Sequence, residues 1–240
     1  METKRKPCGP YERWFKRPVD MFCALAAMIV FCWLYAIVAI LVRVKLGSPV
    51  LFRQPRPGKD EKIFNLCKFR TMTDERDENG DLLPDDVRLT KFGKFLRSTS
   101  LDELPEAWNI LKGDMSVIGP RPQLVRDMVF MTPEQRQRHT VAPGLSGLAQ
   151  VRGRNAISWE GKLATDLEYV EKVTFWGDLK IVLQTVVKFV KREDISAEGM
   201  ETAEDLGDYL LRTGQVEQAE YDRLQQQARD LLEKRKKAAV

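Results

Sequence analysis

A single histidine stands in 240 residues, and that scarcity removes several chemistries at once. Ser-His-Asp nucleophile systems and histidine-rich zinc sites need partners that the chain does not supply, so His139 reads as a structural or surface residue. Cysteine is sparse and unpatterned. Cys8, Cys23, Cys32 and Cys67 form no CxxC pair and no metal-ligand spacing, which suits reduced thiols in a cytosol-facing protein. There is no GxGxxG or Walker sequence and no internal repeat. The net charge of +4 is too small to suggest nucleic acid as a partner. Two local absences matter more. No charge occurs from Met21 to Val42, and no proline between Pro18 and Pro49.

The uncharged run, MFCALAAMIVFCWLYAIVAILV, is long enough to enter a hydrocarbon core as a helix. It is too long for a signal peptide, and no A-x-A-like site follows it. Its flanks are basic on both sides, with Lys16 and Arg17 before it and Arg43, Lys45, Arg53 and Arg56 after it. Lys and Arg mark the cytoplasmic side of a membrane, so the pattern fits a segment that dips in and returns. A single crossing is the other topology, and the missing proline speaks for it. In either case residues 1–47 read as a basic N-terminus with a membrane-inserted helix. The far end is different: from Glu193 onward acids outnumber bases twelve to seven.

Residues 48–195 read as the cytosol-facing unit, and the expected fold class is α+β, predominantly helical. VLFRQ and IFNLCKFRTM flank the turn PRPGKDE and predict a β-hairpin. TDERDENGDLLPDD (73–86) is acidic and polar, and its glycine falls too early for a calcium loop, so a solvated loop is expected. TKFGKFLRSTS predicts a short basic helix. In KGDMSVIGPRP, two prolines hold Arg121 on a stiff extended backbone, where a guanidinium fork would suit phosphate. An ordinary proline-rich loop is the plainer reading. Several glycines punctuate RHTVAPGLSGLAQVRGRNAISW, together with Arg152 and Arg154; glycine allows close backbone approach to a phosphate or nucleotide. FWGDLKIVLQTVVKFVKR (175–192) would serve as an amphipathic interfacial helix or as a core helix. Residues 196–240 read as a polar helical appendage, two helices parted near Gly214. Leu224 and Leu231 lie on one stripe, a surface that would suit self-association.

SLDELPE (100–106) admits two readings. Ser, Asp and Pro are favoured at helix starts, and acids suit the positive end of the helix dipole, so the stretch predicts a helix beginning there and ending at Gly113. Adjacent carboxylates can also hold Mg²⁺ or supply a nucleophile. Neighbouring side chains on a helix point about 100° apart, so Asp102 and Glu103 should take distinct roles rather than share a proton. Turn-borne arginines and a membrane anchor around such a pair imply phosphoryl chemistry at a membrane surface.

Together, KFRTM, RSTSLDELPEAWNILKGDMSVIGPRP and VAPGLSGLAQVRGRNAISWE closely resemble the monotopic phosphoglycosyl transferases, also called bacterial sugar transferases. The resemblance runs from about Lys16 to Ile195. It implies transfer of a sugar-1-phosphate from a UDP-sugar to polyprenyl phosphate with release of UMP, at the bacterial inner membrane with the catalytic unit facing the cytoplasm. It makes Asp102 the nucleophile, Glu103 its partner, and both of them ligands of Mg²⁺. Lys68 and Arg70 in KFR, Arg97 in RSTSLDE and Arg121 in GPRP match the family's active-site positions. Gln150 and Arg154 match its glycine-rich motif, where substrate contacts are expected. The family usually breaks its membrane helix at a Ser-Pro pair, where this chain has Cys32-Trp33; any bend is expected in that region.

Overall fold

The structure is a computed structural model that describes residues 5–153, 157–191 and 204–238. A short π-helix, Tyr11–Phe15, leads into α1 (Lys16–Val30), which is followed by α2 (Cys32–Leu46). The two helices meet at Phe31 (φ −101°, ψ 13°) and are bent by 67°. No single described helix is long and apolar enough to cross a membrane, but the bent pair together has the length and composition. The bend needs no proline. Phe31 still donates to Ala27 O, while its own carbonyl accepts from both Leu34 and Tyr35, so the ladder resumes on a new axis. The expected break near Cys32-Trp33 falls one residue earlier.

Each arm of this pair has a protein-facing side and an exposed apolar side. Asp20 and Ala24 are buried on α1, and Val38, Val42 and Leu46 on α2, while Phe22, Ile29, Val30, Trp33, Ile40 and Val44 are exposed. Arg17 donates to the carbonyls of Ile110 and Leu111, and Asp20 accepts from Ser116 Oγ and Val117 N–H. Tyr35 donates from its hydroxyl to Leu104 O at 2.6 Å.

After Gly47 (φ +83°) the predicted hairpin forms: β1 (Leu51–Pro57) pairs antiparallel with β2 (Ile63–Phe69), from Leu51↔Phe69 to Pro57↔Ile63. Pro55 and Pro57 are tolerated because a two-stranded ribbon consists of edges. A one-turn α3 (Asp85–Arg88) precedes the basic α4 (Lys91–Ser98), capped by Thr90 Oγ1, which accepts from Gly93 N–H. Gly93 is required for packing, since a Cβ there would stand 1.9 Å from the Thr71 carbonyl oxygen. Then come α5 (Glu106–Lys112), closed by Gly113 at φ +97°, and β3 (Ser116–Ile118).

Beyond these lie α6 (Val125–Met128), α7 (Pro133–Arg136), β4 (Gly144–Ser146), α8 (Leu148–Arg152), α9 (Trp159–Glu171) and α10 (Phe175–Lys191). β4 runs parallel to β3, pairing Ser116 with Gly144 and Ile118 with Ser146. This pair was not anticipated, and it changes the meaning of the nearby glycines. A Cβ at Gly144 would lie 2.1 Å from Gly119 N, and one at Gly147 2.2 Å from Gly119 O. Close approach at those two positions is chain against chain. On α10, Asp178 and Ile181 are buried while Trp176, Leu183, Val186, Val187 and Phe189 are exposed, so the helix packs by one side and turns an apolar side outward.

The C-terminal helices α11 (Leu206–Arg212) and α12 (Gln218–Ala238) part at Gly214 (φ +71°), as predicted. Their apolar stripe faces inward. Leu206 and Ala228 join Val125, Met128, Phe130 and Trp159 in one core cluster, with Leu224 and Leu231 packed against it. The surface that sequence offered for self-association covers the chain's own α6 instead. Overall the described residues are mainly helical with a small antiparallel hairpin, an α+β arrangement.

Candidate active site

Asp102 and Glu103 lie on a short 3₁₀ turn, Leu101–Glu103, preceded by Ser100 in the left-handed region (φ +50°). The helix expected to begin at the pair begins three residues after Glu103, at Glu106. Pro105 has no N–H to extend the turn's ladder, so the chain changes axis between the pair and α5. Asp102 therefore lies on the turn and outside α5. Burial pushes its carboxyl up to about 6 and neighbouring Glu103 adds to the rise, opposed by the charges of Lys68, Arg121 and Arg97.

Glu103 has the opposite fate. Burial alone would raise its carboxyl, but Arg121 and Lys68 hold it well below the usual carboxylate range. Arg121 Nη2 donates to Glu103 Oε1 at 2.6 Å and Lys68 Nζ donates to the same oxygen at 2.7 Å. Among the described residues no cation lies within ion-pair distance of Asp102. The two carboxylates therefore differ in kind: one is a neutralised anchor, the other an uncommitted base or nucleophile.

The elements explain why these groups meet. Lys68 sits on β2, and buried Asn109 of α5 fastens β2 to the helix. Asn109 Oδ1 accepts from Cys67 N–H at 2.9 Å, and Nδ2 donates to Asn65 O at 2.7 Å. Arg121 projects from the loop after β3. Arg97, near the end of α4, donates from Nε to Thr71 Oγ1 at 3.1 Å.

Not every expected residue joins this cluster. Arg70 donates to Met72 O and Ser48 O and pairs with Asp74, so it braces the turn around Pro49 and makes no contact with the pair. Its motif neighbour Lys68 is the one that reaches the site. Gln150 donates to Leu145 O at 3.2 Å and lines a cavity of about 420 Å³ that also reaches Ser100 and Glu103, with apolar walls from Ala27, Val182 and Phe189. Arg154 lies outside the described residues. One site residue escaped sequence reading. Glu106 is 2% exposed, its Oε1 faces Lys68 Nζ at 3.2 Å, and burial, reinforced by Glu103, pushes its carboxyl up to about 7. No local pattern marks it, because it reaches the pair across the change of axis at Pro105.

The sequence pattern of the bacterial sugar transferases matches residues 11–192. The chain belongs to the bacterial sugar transferase family. Relatives in that family include the uncharacterized sugar transferase EpsL of Bacillus subtilis, 50% identical over 77% of this chain and 93% of that protein. The exopolysaccharide production protein PSS of Rhizobium leguminosarum is 38% identical over 74% of this chain and 96% of that protein. The UDP-glucose:undecaprenyl-phosphate glucose-1-phosphate transferase of Klebsiella pneumoniae is 39% identical over 72% of this chain but 40% of its own length. The family match takes in the bent helix pair, the Asp102–Glu103 turn, the Arg121 loop and α10. It stops before α11 and α12, which the chain adds against α6.

Proposed function

We propose that this chain transfers a sugar-1-phosphate from a UDP-sugar to a polyprenyl phosphate through a covalent intermediate on Asp102. One Asp102 oxygen attacks the phosphorus bonded to the sugar, the bond to the inner phosphate oxygen breaks, and UMP leaves. An oxygen of the lipid phosphate then attacks the same phosphorus and displaces Asp102, giving a polyprenyl diphosphate sugar. The observation that carries this reading is the asymmetry of the pair: Lys68 and Arg121 both fall on Glu103, while among the described residues no cation pairs with Asp102, whose carboxyl burial pushes up to about 6. Relatives named for this overall reaction, with UDP-glucose and with UDP-N-acetylgalactosamine, support it.

Arg121 and Lys68 would meet the phosphate charge as the bond to UMP weakens, because preorganised cations act most strongly where charge develops. Mg²⁺ is proposed as the cofactor. Among the described residues no three acidic, histidine or cysteine side chains gather to enclose a metal. Mg²⁺ ordinarily takes one or two carboxylates plus substrate phosphates, and Asp102 with the unengaged Oε2 of Glu103 fits that donor set. Bound there, it would neutralise diphosphate charge.

The acceptor implies a membrane. The exposed apolar sides of α1, α2 and α10 support insertion of the bent pair into the inner bacterial membrane from the cytoplasmic face. Incubating the protein with a panel of UDP-sugars, without lipid, should add the mass of one sugar-phosphate to the peptide containing Asp102 and release UMP. With polyprenyl phosphate added as acceptor, release of UDP in place of UMP would identify a glycosyltransferase of another kind. No nucleotide release with any sugar, with the lipid present, would favour a membrane scaffold.

A further inference from the structure

The loop that presents Arg121 is short of donors, because Pro120 and Pro122 have no N–H. Such a segment has to be fixed mainly through its carbonyls, and here three successive ones are taken by three different elements. Pro120 O accepts from Gly144 N–H at 3.0 Å. Arg121 O accepts from Arg138 Nη2 at 2.7 Å, and Pro122 O accepts from Arg56 Nη1 at 3.1 Å. Arg138 is 2% exposed, and its Nε and Nη2 also donate to Asp166 Oδ2 on α9 at 3.0 and 2.6 Å. Arg56 on β1 is steadied by Gln54 Oε1 at 2.7 Å.

We propose that Arg138, held by Asp166, and Arg56 are positioning residues that fix the Arg121 and Pro122 carbonyls and thereby set the Arg121 guanidinium on Glu103. This rests on the proposed role of Arg121 in the reaction. The fork explains why arginine serves at both places. One guanidinium can hold a carboxylate or amide through part of its donor set and a backbone carbonyl through the rest, which a lysine ammonium does less rigidly. With its backbone held from three sides, the loop leaves the Arg121 side chain to reach Glu103 from a fixed starting point. Displacement of a substrate-orienting group by about 1 Å can lower a rate by about 100-fold.

The test is a double-mutant cycle on the full chain, read as single-turnover UMP release and as kcat and KM for the UDP-sugar. Arg56→Met and Arg138→Lys should each lower kcat about 10- to 100-fold with little change in KM. In an Arg121→Ala background the same substitutions should cost less than about twofold, since a positioning effect vanishes with the group it positions. If Arg138→Lys fails to fold, Arg56→Met with Arg121→Ala still completes the cycle. Equal losses with and without Arg121, or wild-type kcat in folded Arg56→Met, would overturn the proposal while leaving Arg121 in the site. Wild-type turnover of Arg121→Ala itself would instead remove the underlying role, and the proposal with it.

Discussion

Arg121 donates to Glu103 Oε1 at 2.6 Å, and Lys68 occupies the same oxygen at 2.7 Å. A single carboxylate oxygen thus gathers two cations, one of which, Lys68, also faces Glu106 Oε1 at 3.2 Å. In Glu103→Gln that anchor is neutral, and Lys68 and Arg121 are left to redistribute. Turnover should fall on the order of 100-fold, and stability by about 3 kcal/mol, because breaking one side of a largely buried ion pair leaves charge uncompensated. Rates together with urea unfolding curves check both parts. Unchanged values in each would mean that the shared oxygen has no organising role.

Asp102 must be ionised to attack phosphorus. Burial and Glu103 raise its carboxyl to about 6, so the reactive form is lost as pH falls through about 6 and gained as it rises. The profile of kcat/KM, which reports groups of the free enzyme, should carry an acid limb near that value. Asp102→Asn should lose at least about 10³-fold in rate, roughly 4 kcal/mol of barrier. An Asp102→Asn enzyme with near-wild-type turnover would exclude covalent catalysis at this residue.

Much of the frame is legible locally. The hairpin announces itself by alternation around a Pro/Gly turn, and the basic helix before Ser98 has a threonine cap. Gly214 marks the parting of the last helices because a positive φ suits glycine. What escapes reading depends on distant partners. β3 and β4 are each three residues long, and parallel pairing leaves no short-range signature. Lys68 and Arg70 are equally basic and two residues apart, yet only Lys68 meets the carboxylates, since Ser48, Met72 and Asp74 claim the other. Likewise Leu224 and Leu231 form a stripe visible in the sequence, but what covers it is α6, which no local pattern names.

His139 is 5% exposed and is held neutral, its pKa lowered to about 3 by burial and by the charges of Arg138 and Arg136. Glu61 Oε1 stands 3.8 Å from its Nδ1, but Glu61 is engaged by Arg136. A histidine depressed in the fold takes protons preferentially when unfolded. Its contribution is therefore complete above about 6.5 and declines as pH falls toward 3, by at most about 1.4 kcal/mol per unit. Between pH 7 and pH 5 the wild type should lose about 2 kcal/mol more than His139→Gln. Parallel stability curves for the two proteins would show that His139 is protonated as readily folded as unfolded.

The bend at Phe31 bears on topology through what its two arms touch. Early in α1, Arg17 and Asp20 are bonded to Ile110, Leu111, Ser116 and Val117. On α2, Tyr35 is bonded to Leu104, while Val38 and Val42 pack with Phe69 and Leu96. Both arms therefore rest on the same body that carries the Asp102–Glu103 turn. A crossing segment would have to place its ends about 30 Å apart on opposite sides of the bilayer core, and a 15-residue arm is only about 22 Å long. The expected arrangement is re-entrant, with Cys8 and Lys59 on the cytoplasmic side and Phe31 at the deepest point. Single-cysteine proteins, one keeping Cys8 and one carrying Lys59→Cys, can be labelled in sealed cells with an impermeant maleimide. Protection of both positions until the membrane is opened is the expected result. Labelling of Cys8 from outside with protection at position 59 would establish a true crossing, and would require α1 to release the contacts it makes with Ile110 and Ser116.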